Sequence, residues 1–259
     1  MRVVVWGMAL AALVAGCSTT PLGRRQLMLV SDAEVDQMGL TAYRGMQQEV
    51  PRSSSPKVNG YVECVARAVT AEVREGSVPR SWEVTVFDQD EVNAFALPGG
   101  KIGVYTGLLK VAADQDQLAT VVGHEIAHVL ARHSSERLST AMATQTGLRL
   151  IGASGTVSPE IVGLLGVGAQ VGIELPFSRT QESEADLLGL DLIARAGFDP
   201  RASVELWQRM GKTGGAKPPE MLSTHPADTT RIEALRARLP QIMPVYEKAR
   251  AQGKIPRCG

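Results

Sequence analysis

The chain lacks net charge: 27 Lys and Arg balance 27 Asp and Glu over 259 residues. No field of one sign is available to gather nucleic acid or an acidic surface, and the basic residues are scattered without aromatic interleaving. Both features speak against a nucleic-acid-binding protein. No internal repeat is evident, which sets aside a tandem-repeat binding module. The longest apolar run, near the start, holds about 14 residues against the ~20 that a spanning helix needs. Cysteine is scarce, three in all and without CxxC spacing, so neither a cysteine zinc site nor a cysteine nucleophile is indicated. Histidine is scarce as well, yet of the four, His124, His128 and His133 fall within ten residues.

What the first residues do contain is an export signal. Met1-Arg2 precedes the apolar run from Val3 to Val14, then Ala15-Gly16 and Cys17. Leu13-Val14-Ala15-Gly16-Cys17 matches a bacterial lipobox, which implies cleavage before Cys17 and acylation of that cysteine. Ser18 rather than Asp after the acylated cysteine resembles lipoproteins sorted to the outer membrane, with the inner membrane as the alternative. Residues 1–16 are therefore read as a removed signal peptide, 17–30 as a lipid-anchored tether and 31–259 as the folded domain. Removing the leader leaves about 243 residues, enough for one compact domain. It also leaves Cys64 and Cys258 in an oxidising compartment. A bridge between them would stabilise by ~4 kcal/mol in the chain-entropy model; the other reading is a buried thiol and a frayed tail.

The coarse pattern is α+β. Ser31-Asp32-Ala33-Glu34 opens a helix toward Glu49, and a second runs from about Lys57 to Arg74. Period-two alternation marks a strand at Trp82–Phe87, and Val92–Leu97 and Lys101–Tyr105 flank a Pro98-Gly99-Gly100 hairpin signal. A helix follows, so a small antiparallel sheet is expected beside it. Residues 145–173 are rich in Gly and aliphatics; they read either as packed helices or as a lid over a site. Gln181–Ala196 reads as a helix stopped by Gly197, Asp199-Pro200 opens the next, and a last one runs near Arg231–Leu239 after Asp228.

The chemistry sits in His124-Glu125-Ile126-Ala127-His128. Residues four apart on a helix lie one above the other, so both imidazoles can serve one ion, and Glu125 lies about 100° round the helix, near enough to take a proton from an activated water. Leu118, Val121, Val122, Val129 and Leu130 at helical spacing make this a buried helix, with Asp114 and Gln117 as its capping box, and buried His and Glu without a partner would be costly. Catalytic zinc takes three protein ligands, and the candidate for the third is Glu182 in Glu182-Ser183-Glu184-Ala185-Asp186. Asp186, one turn on, could orient a ligating imidazole. Without other information, an acidic first turn complementing the helix dipole explains Glu182 equally. His133 is off the ligand face and is read as structural.

Four blocks resemble the HtpX and CAAX-prenyl-protease superfamily of zinc metallopeptidases, metallopeptidase family forty-eight of the gluzincins: Asn93–Gly100, Gly123–His133, Phe177-Ser178-Arg179 with the ExEAD run, and Ser223-Thr224-His225-Pro226. The resemblance implies a mostly helical zincin-type fold, one Zn2+ per chain held by His124, His128 and Glu182, and Glu125 as the catalytic base. It places Asn93, Ala94, Phe95, Ala96 and Leu97 in the substrate cleft, where an extended peptide could add to a strand edge. It puts His225 near the zinc, either stabilising the oxyanion or occupying the open position. The implied function is a lipid-anchored envelope endopeptidase facing the periplasm, with unfolded or misassembled envelope proteins as substrates. The alternative is a zinc-bound chaperone or assembly factor for outer-membrane proteins with slow or gated proteolysis. The absence of spanning helices departs from the membrane-embedded members and argues against prenylated substrates.

Overall fold

The computed structural model describes residues 17–74, 77, 79, 81–153, 177–212, 220–225 and 229–259. The leader 1–16, most of the segment 145–173, Pro226 and Asp228 lie outside the described residues. In chain order the elements are β1 (Cys17–Thr19), β2 (Arg25–Leu27), α1 (Asp32–Glu49), α2 (Pro56–Thr70), β3 (Glu83–Phe87), β4 (Ala94–Leu97), β5 (Lys101–Tyr105), a 3-10 turn (Thr106–Lys110), α3 (Gln115–Leu130), α4 (His133–Ala153), α5 (Arg179–Ala196), α6 (Ala202–Lys212), α7 (Glu220–Thr224) and α8 (Thr229–Ala251). The fold is mostly helical α+β, as the sequence leads one to expect. By contact the chain groups into two units, Met1–Val35 with Arg132–Leu175, and Asp36–Ala131 with Pro176–Gly259.

In the first unit, residues 17–30 are ordered where the sequence suggests a plain tether. β1 and β2 pair antiparallel, and Gly23 closes the turn at a φ of 86°. The reason is a partner on α4: Arg24 grips Glu136 through both terminal nitrogens at 2.5 and 2.7 Å, and the Leu29 N–H donates to Ser139 Oγ at 2.8 Å. Bidentate guanidinium–carboxylate geometry fixes orientation as well as distance. Arg132, between α3 and α4, takes a φ of 58° and pairs with Asp32.

The second unit is built on a three-stranded sheet of order β3-β5-β4. The sheet is mixed, which corrects the expectation of an antiparallel one: β4 and β5 form the hairpin, but β3 runs parallel to β5. The Pro-Gly-Gly signal specifies only the local pairing, whereas β3 joins β4 through a loop and pairs with the strand beyond it. Gly99 and Gly100 hold φ of 80° and 75° in the turn, and a Cβ on Gly100 would lie 2.0 Å from the Ser81 carbonyl oxygen. Phe95 lies across from its register partner Gly103 and covers it.

Helices α2, α3, α5, α6 and α8 pack around one core in which Val62, Leu118, Val122, Ile193 and Trp207 are all buried. Their starts are set locally. Asp114 accepts from the Gln117 N–H at 2.9 Å at the head of α3, while the Gln117 side chain turns to the N–H of Ala113. Ser178 and Gln181 form a full capping box on α5, and Gly197 ends that helix in the left-handed region. α8 outruns its expected end at Leu239, continuing through Pro240 and Pro244 to Ala251. Proline removes a helical hydrogen bond, but Ile242 and Ala249 are buried against the core, and tertiary packing outweighs the local loss.

The tail is fastened twice. Cys64 on α2 and Cys258 are joined in a disulfide with Cα atoms 5.5 Å apart, and the Gln115 amide donates to the Pro256 carbonyl and accepts from the Cys258 N–H, both at 2.9 Å. The bridge closes a separation of 194 residues, which restricts the unfolded chain strongly. Replacing Cys258 with Ser is expected to cost about 2–5 kcal/mol and to lower the melting temperature by about 5–15 °C in a circular-dichroism melt at equal metal load. An unchanged melting temperature would show that the tail contributes nothing to stability.

Candidate metal centre

The site begins with a close contact of two backbones. A Cβ on Gly189 of α5 would lie 2.9 Å from the Gly123 carbonyl carbon and from the His124 nitrogen. A Cβ on Gly123 would lie 2.7 Å from Ile193 Cγ2 and 3.1 Å from the Gly189 oxygen. α3 and α5 therefore touch main chain to main chain one residue before His124. On α5, Glu182, Asp186 and Gly189 are spaced i, i+4, i+7 and share a face. The glycine contact thus brings both carboxylates against the imidazoles of α3.

Four buried side chains converge there: His124, His128, Glu182 and His225, whose ligating atoms all lie within 4.8 Å of one another. His124 Nε2 is 3.0 Å from His128 Nε2, 3.3 Å from His225 Nδ1 and 3.4 Å from Glu182 Oε2. Glu182 Oε1 is 3.3 Å from His128 Nε2 and 2.9 Å from His225 Nδ1. Ligands about 2.05 Å from a tetrahedral ion stand about 3.3 Å apart along each edge, so these separations are those of a zinc donor set. Hydrogen bonding alone accounts poorly for three ring nitrogens and a carboxylate aimed at one point, because each nitrogen can carry only one proton or one lone pair.

Charge gives the same answer. Among the described residues, the carboxylates in contact with the cluster are Glu125, Glu182 and Asp186, and one guanidinium, Arg231, meets the latter two, which leaves two negative charges for a divalent cation to balance. Burial disfavours ionised Glu182, yet His124, His128 and His225 outweigh it and hold the carboxyl far below its ordinary range. Burial also works against a charged His124, but Glu182 and Asp186 raise it to about 9. His128 is held well below its ordinary value by burial, which outweighs the opposing contact with Glu182. The pocket thus supports one positive charge strongly and is short of a second. The residues present fit a divalent ion.

Around this set, Asp186 Oδ1 faces His124 Nδ1 at 3.0 Å, the arrangement that fixes the tautomer and orientation of a ligating imidazole. Glu125 sits beside the cluster, its Oε1 3.4 Å from His225 Nε2, and the Ala96 backbone amide faces its carboxyl. Burial raises its pKa, opposed by His225 and His124. The structure therefore brings together His124, Glu125, His128, Glu182, Asp186 and His225 from the sequence reading. The Asn93–Leu97 run enters as β4, an edge strand, next to Glu125 through Ala96. His133 is buried at the head of α4 and outside the donor group, and Cys17 lies in β1.

Sequence reasoning missed three contributors. Arg231 reaches Glu182 and Asp186, its guanidinium lies 4.3 Å from the Trp207 ring, and Trp207 meets His124 edge-on at 5.6 Å. Phe177 stacks on His128 with centroids 3.8 Å apart. Two acidic residues on one buried helix face call for a buried cation, but nothing local says which of 27 basic residues supplies it.

The chain belongs to peptidase family M48, whose family model, "Peptidase family M48", matches residues 56–239. It is 36% identical over 222 residues to the mitochondrial metalloendopeptidase OMA1 of Saccharomyces cerevisiae, covering 80% of this chain and 63% of that protein. It is 33% identical over 221 residues to the beta-barrel assembly-enhancing protease of Yersinia pestis, covering 80% of this chain and 44% of that one. The Escherichia coli protein of the same name is 30% identical over 223 residues, covering 81% of this chain and 44% of its own length. The chain thus spans less than two thirds of the length of these relatives.

Gly189→Ala tests the helix contact. Its new methyl meets backbone on α3 rather than a movable side chain, so a loss of about 1–3 kcal/mol and a fall of about 3–10 °C in melting temperature are expected, with weaker zinc binding in a chelator competition. Parent-like stability and affinity would mean that α3 and α5 can separate without cost to the site.

Proposed function

We propose that this chain is a zinc endopeptidase of the bacterial envelope, anchored through lipid on Cys17, probing unfolded or misassembled envelope proteins from the periplasmic face of the outer membrane. The observation that carries the catalytic reading is the near-tetrahedral donor set with Glu125 at its side and the β4 edge against Glu125. Family membership supports it, as do relatives that bear the names metalloendopeptidase and beta-barrel assembly-enhancing protease. Anchoring and location rest on the lipobox and Ser18. Among the described residues no helix is long and apolar enough to cross a membrane.

A zinc ion held by His124, His128 and Glu182 would supply Lewis-acid activation of water and of the scissile carbonyl. Glu125 takes a proton from the attacking water and returns it to the departing amine nitrogen. Burial, which raises the Glu125 pKa, suits a carboxylate that must hold a proton between these steps. Asp186 keeps His124 turned with Nε2 toward the donor set. An extended substrate lies along β4, pairing by backbone and so tolerating many sequences.

The position of His225 favours the gated form of this activity. Its Nδ1 stands within the donor set and its Nε2 faces Glu125, so of the two roles expected for this residue the geometry supports occupation of the open position. A substrate carbonyl must displace it. A chaperone-like resting state, in which peptides are held before they are cut, follows from the same geometry.

Two variants test the reading. Glu125→Gln should keep stoichiometric zinc and lose about 10²–10⁴-fold in cleavage of an unfolded test protein, since the amide cannot carry the proton. Cleavage at the parent's rate by the pure variant would sink the mechanism. His225→Ala should raise the basal rate with zinc retained, and a slower enzyme would assign His225 to oxyanion stabilisation instead.

A further inference from the structure

We propose that Arg231 is a positioning residue of the metal centre, which holds the carboxylates of Glu182 and Asp186 in a fixed mutual orientation and turns Glu182 Oε1 toward the donor set. The inference rests on the metal-site reading above and concerns how that site is held.

Arg231 is 4% exposed and, among the described residues, directs its guanidinium at two carboxylates. Nε and Nη2 form a two-pronged bond to Asp186 Oδ2 and Oδ1, both at 2.8 Å, and Nη1 reaches Glu182 Oε2 at 2.7 Å. Glu182 is thereby divided in function. Oε2 is engaged by Arg231 and lies 3.4 Å from His124 Nε2, while Oε1 is directed at His128 Nε2 and His225 Nδ1, two other corners of the donor set. Asp186 is divided likewise, with Oδ1 also facing His124 Nδ1 at 3.0 Å. One guanidinium therefore sets the orientation of a candidate ligand directly and of a second, His124, through Asp186. It also places one positive charge between two carboxylates one helical turn apart in a buried site.

The chemistry needs arginine rather than any cation. The planar fork serves two acceptors on Asp186 and keeps a third donor for Glu182, whereas a lysine ammonium is a single point on a flexible stem. The plane itself is braced, since the guanidinium lies 4.3 Å from the ring centre of Trp207, and the same indole meets His124 edge-on.

The experiment compares four full-length proteins: parent, Arg231→Lys, Asp186→Asn and the double variant. Zinc affinity is measured by chelator competition, ligand geometry by the visible absorption of the cobalt(II)-substituted proteins, and folding by circular dichroism of the metal-free forms. Arg231→Lys is expected to bind zinc about 10–100-fold more weakly and to change the cobalt spectrum. In the double variant one amine has one carboxylate to serve, so its affinity should match that of Asp186→Asn to within about twofold. Arg231→Lys with the parent's affinity and cobalt spectrum overturns the proposal. So does an equal loss from Arg231→Lys in both backgrounds, which is the mark of packing alone. If Arg231→Lys does not accumulate as folded protein, the double variant against Asp186→Asn decides, and a double variant that is weaker or unfolded overturns the proposal. A parent without stoichiometric zinc overturns the metal-site reading itself, a result distinct from a zinc-loaded parent with an indifferent Arg231→Lys.

Discussion

Everything at this site depends on how closely α3 can approach α5. Helices normally pack with axes 8–10 Å apart because side chains keep them there. At Gly123 and Gly189 neither helix has a side chain, and the carbonyl oxygen of each lies only 3.0–3.1 Å from where the other's Cβ would be. That approach lets side chains as short as Glu182 and Asp186 reach ring nitrogens one turn away on α3. With wider spacing the same residues would still line a helix face, but His124 and Glu182 would no longer stand at two corners of one polyhedron.

Close approach has an electrostatic consequence. It places ionisable groups in a volume from which water is excluded, where an unbalanced charge costs several kcal/mol. Packing alone cannot support three carboxylates and three imidazoles in that volume. Arg231 offsets one carboxylate's worth of charge, and a divalent ion in the donor set would offset the rest. Metal affinity and the stability of the second unit are consequently one linked quantity. The elements that carry the groups are accordingly fixed from outside the site. α5 starts at a full capping box and stops at a left-handed glycine, and the head of α3 is tied through Gln115 to the disulfide-held tail.

How much of this was legible from residues depends on the range of the cause. The His124/His128 pair, the Ser178 and Asp114 caps, the β4–β5 hairpin and the stop at Gly197 are consequences of spacing within a few residues, and the structure has them where the sequence put them. Glu182 stood as one of two readings until it was joined by family resemblance, because a ligand 54 residues beyond His128 has no spacing rule. The parallel pairing of β3 with β5, the passage of α8 through two prolines and the hairpin at residues 17–27 lie beyond local spacing for a common reason. Each is decided by a partner distant in the chain: β5, the α5/α6 surface and Glu136. Arg231 was invisible on the same ground, and Gly189 was hidden because a glycine inside a helix reads as a weakness until its neighbour is seen.

In the proposed reading, the β4 edge would couple substrate to base. Asn93 and Leu97 direct their carbonyls to the β5 side, accepting from Tyr105 and Gly100, so the alternation of an antiparallel pair turns Ala94 and Ala96 outward. Their side chains are buried, which leaves only main chain to be read on that edge. The Ala94 N–H is taken by Asn93 Oδ1 at 2.9 Å, and the Ala96 N–H faces Glu125. An extended peptide added here would therefore meet chiefly carbonyl acceptors and would donate its own N–H groups, with no side-chain pocket of β4 to discriminate among sequences. Because the Ala96 amide also bears on Glu125, such a peptide would settle one residue's width from the base. Register along the strand, rather than recognition of a particular side chain, would then decide which bond is cut.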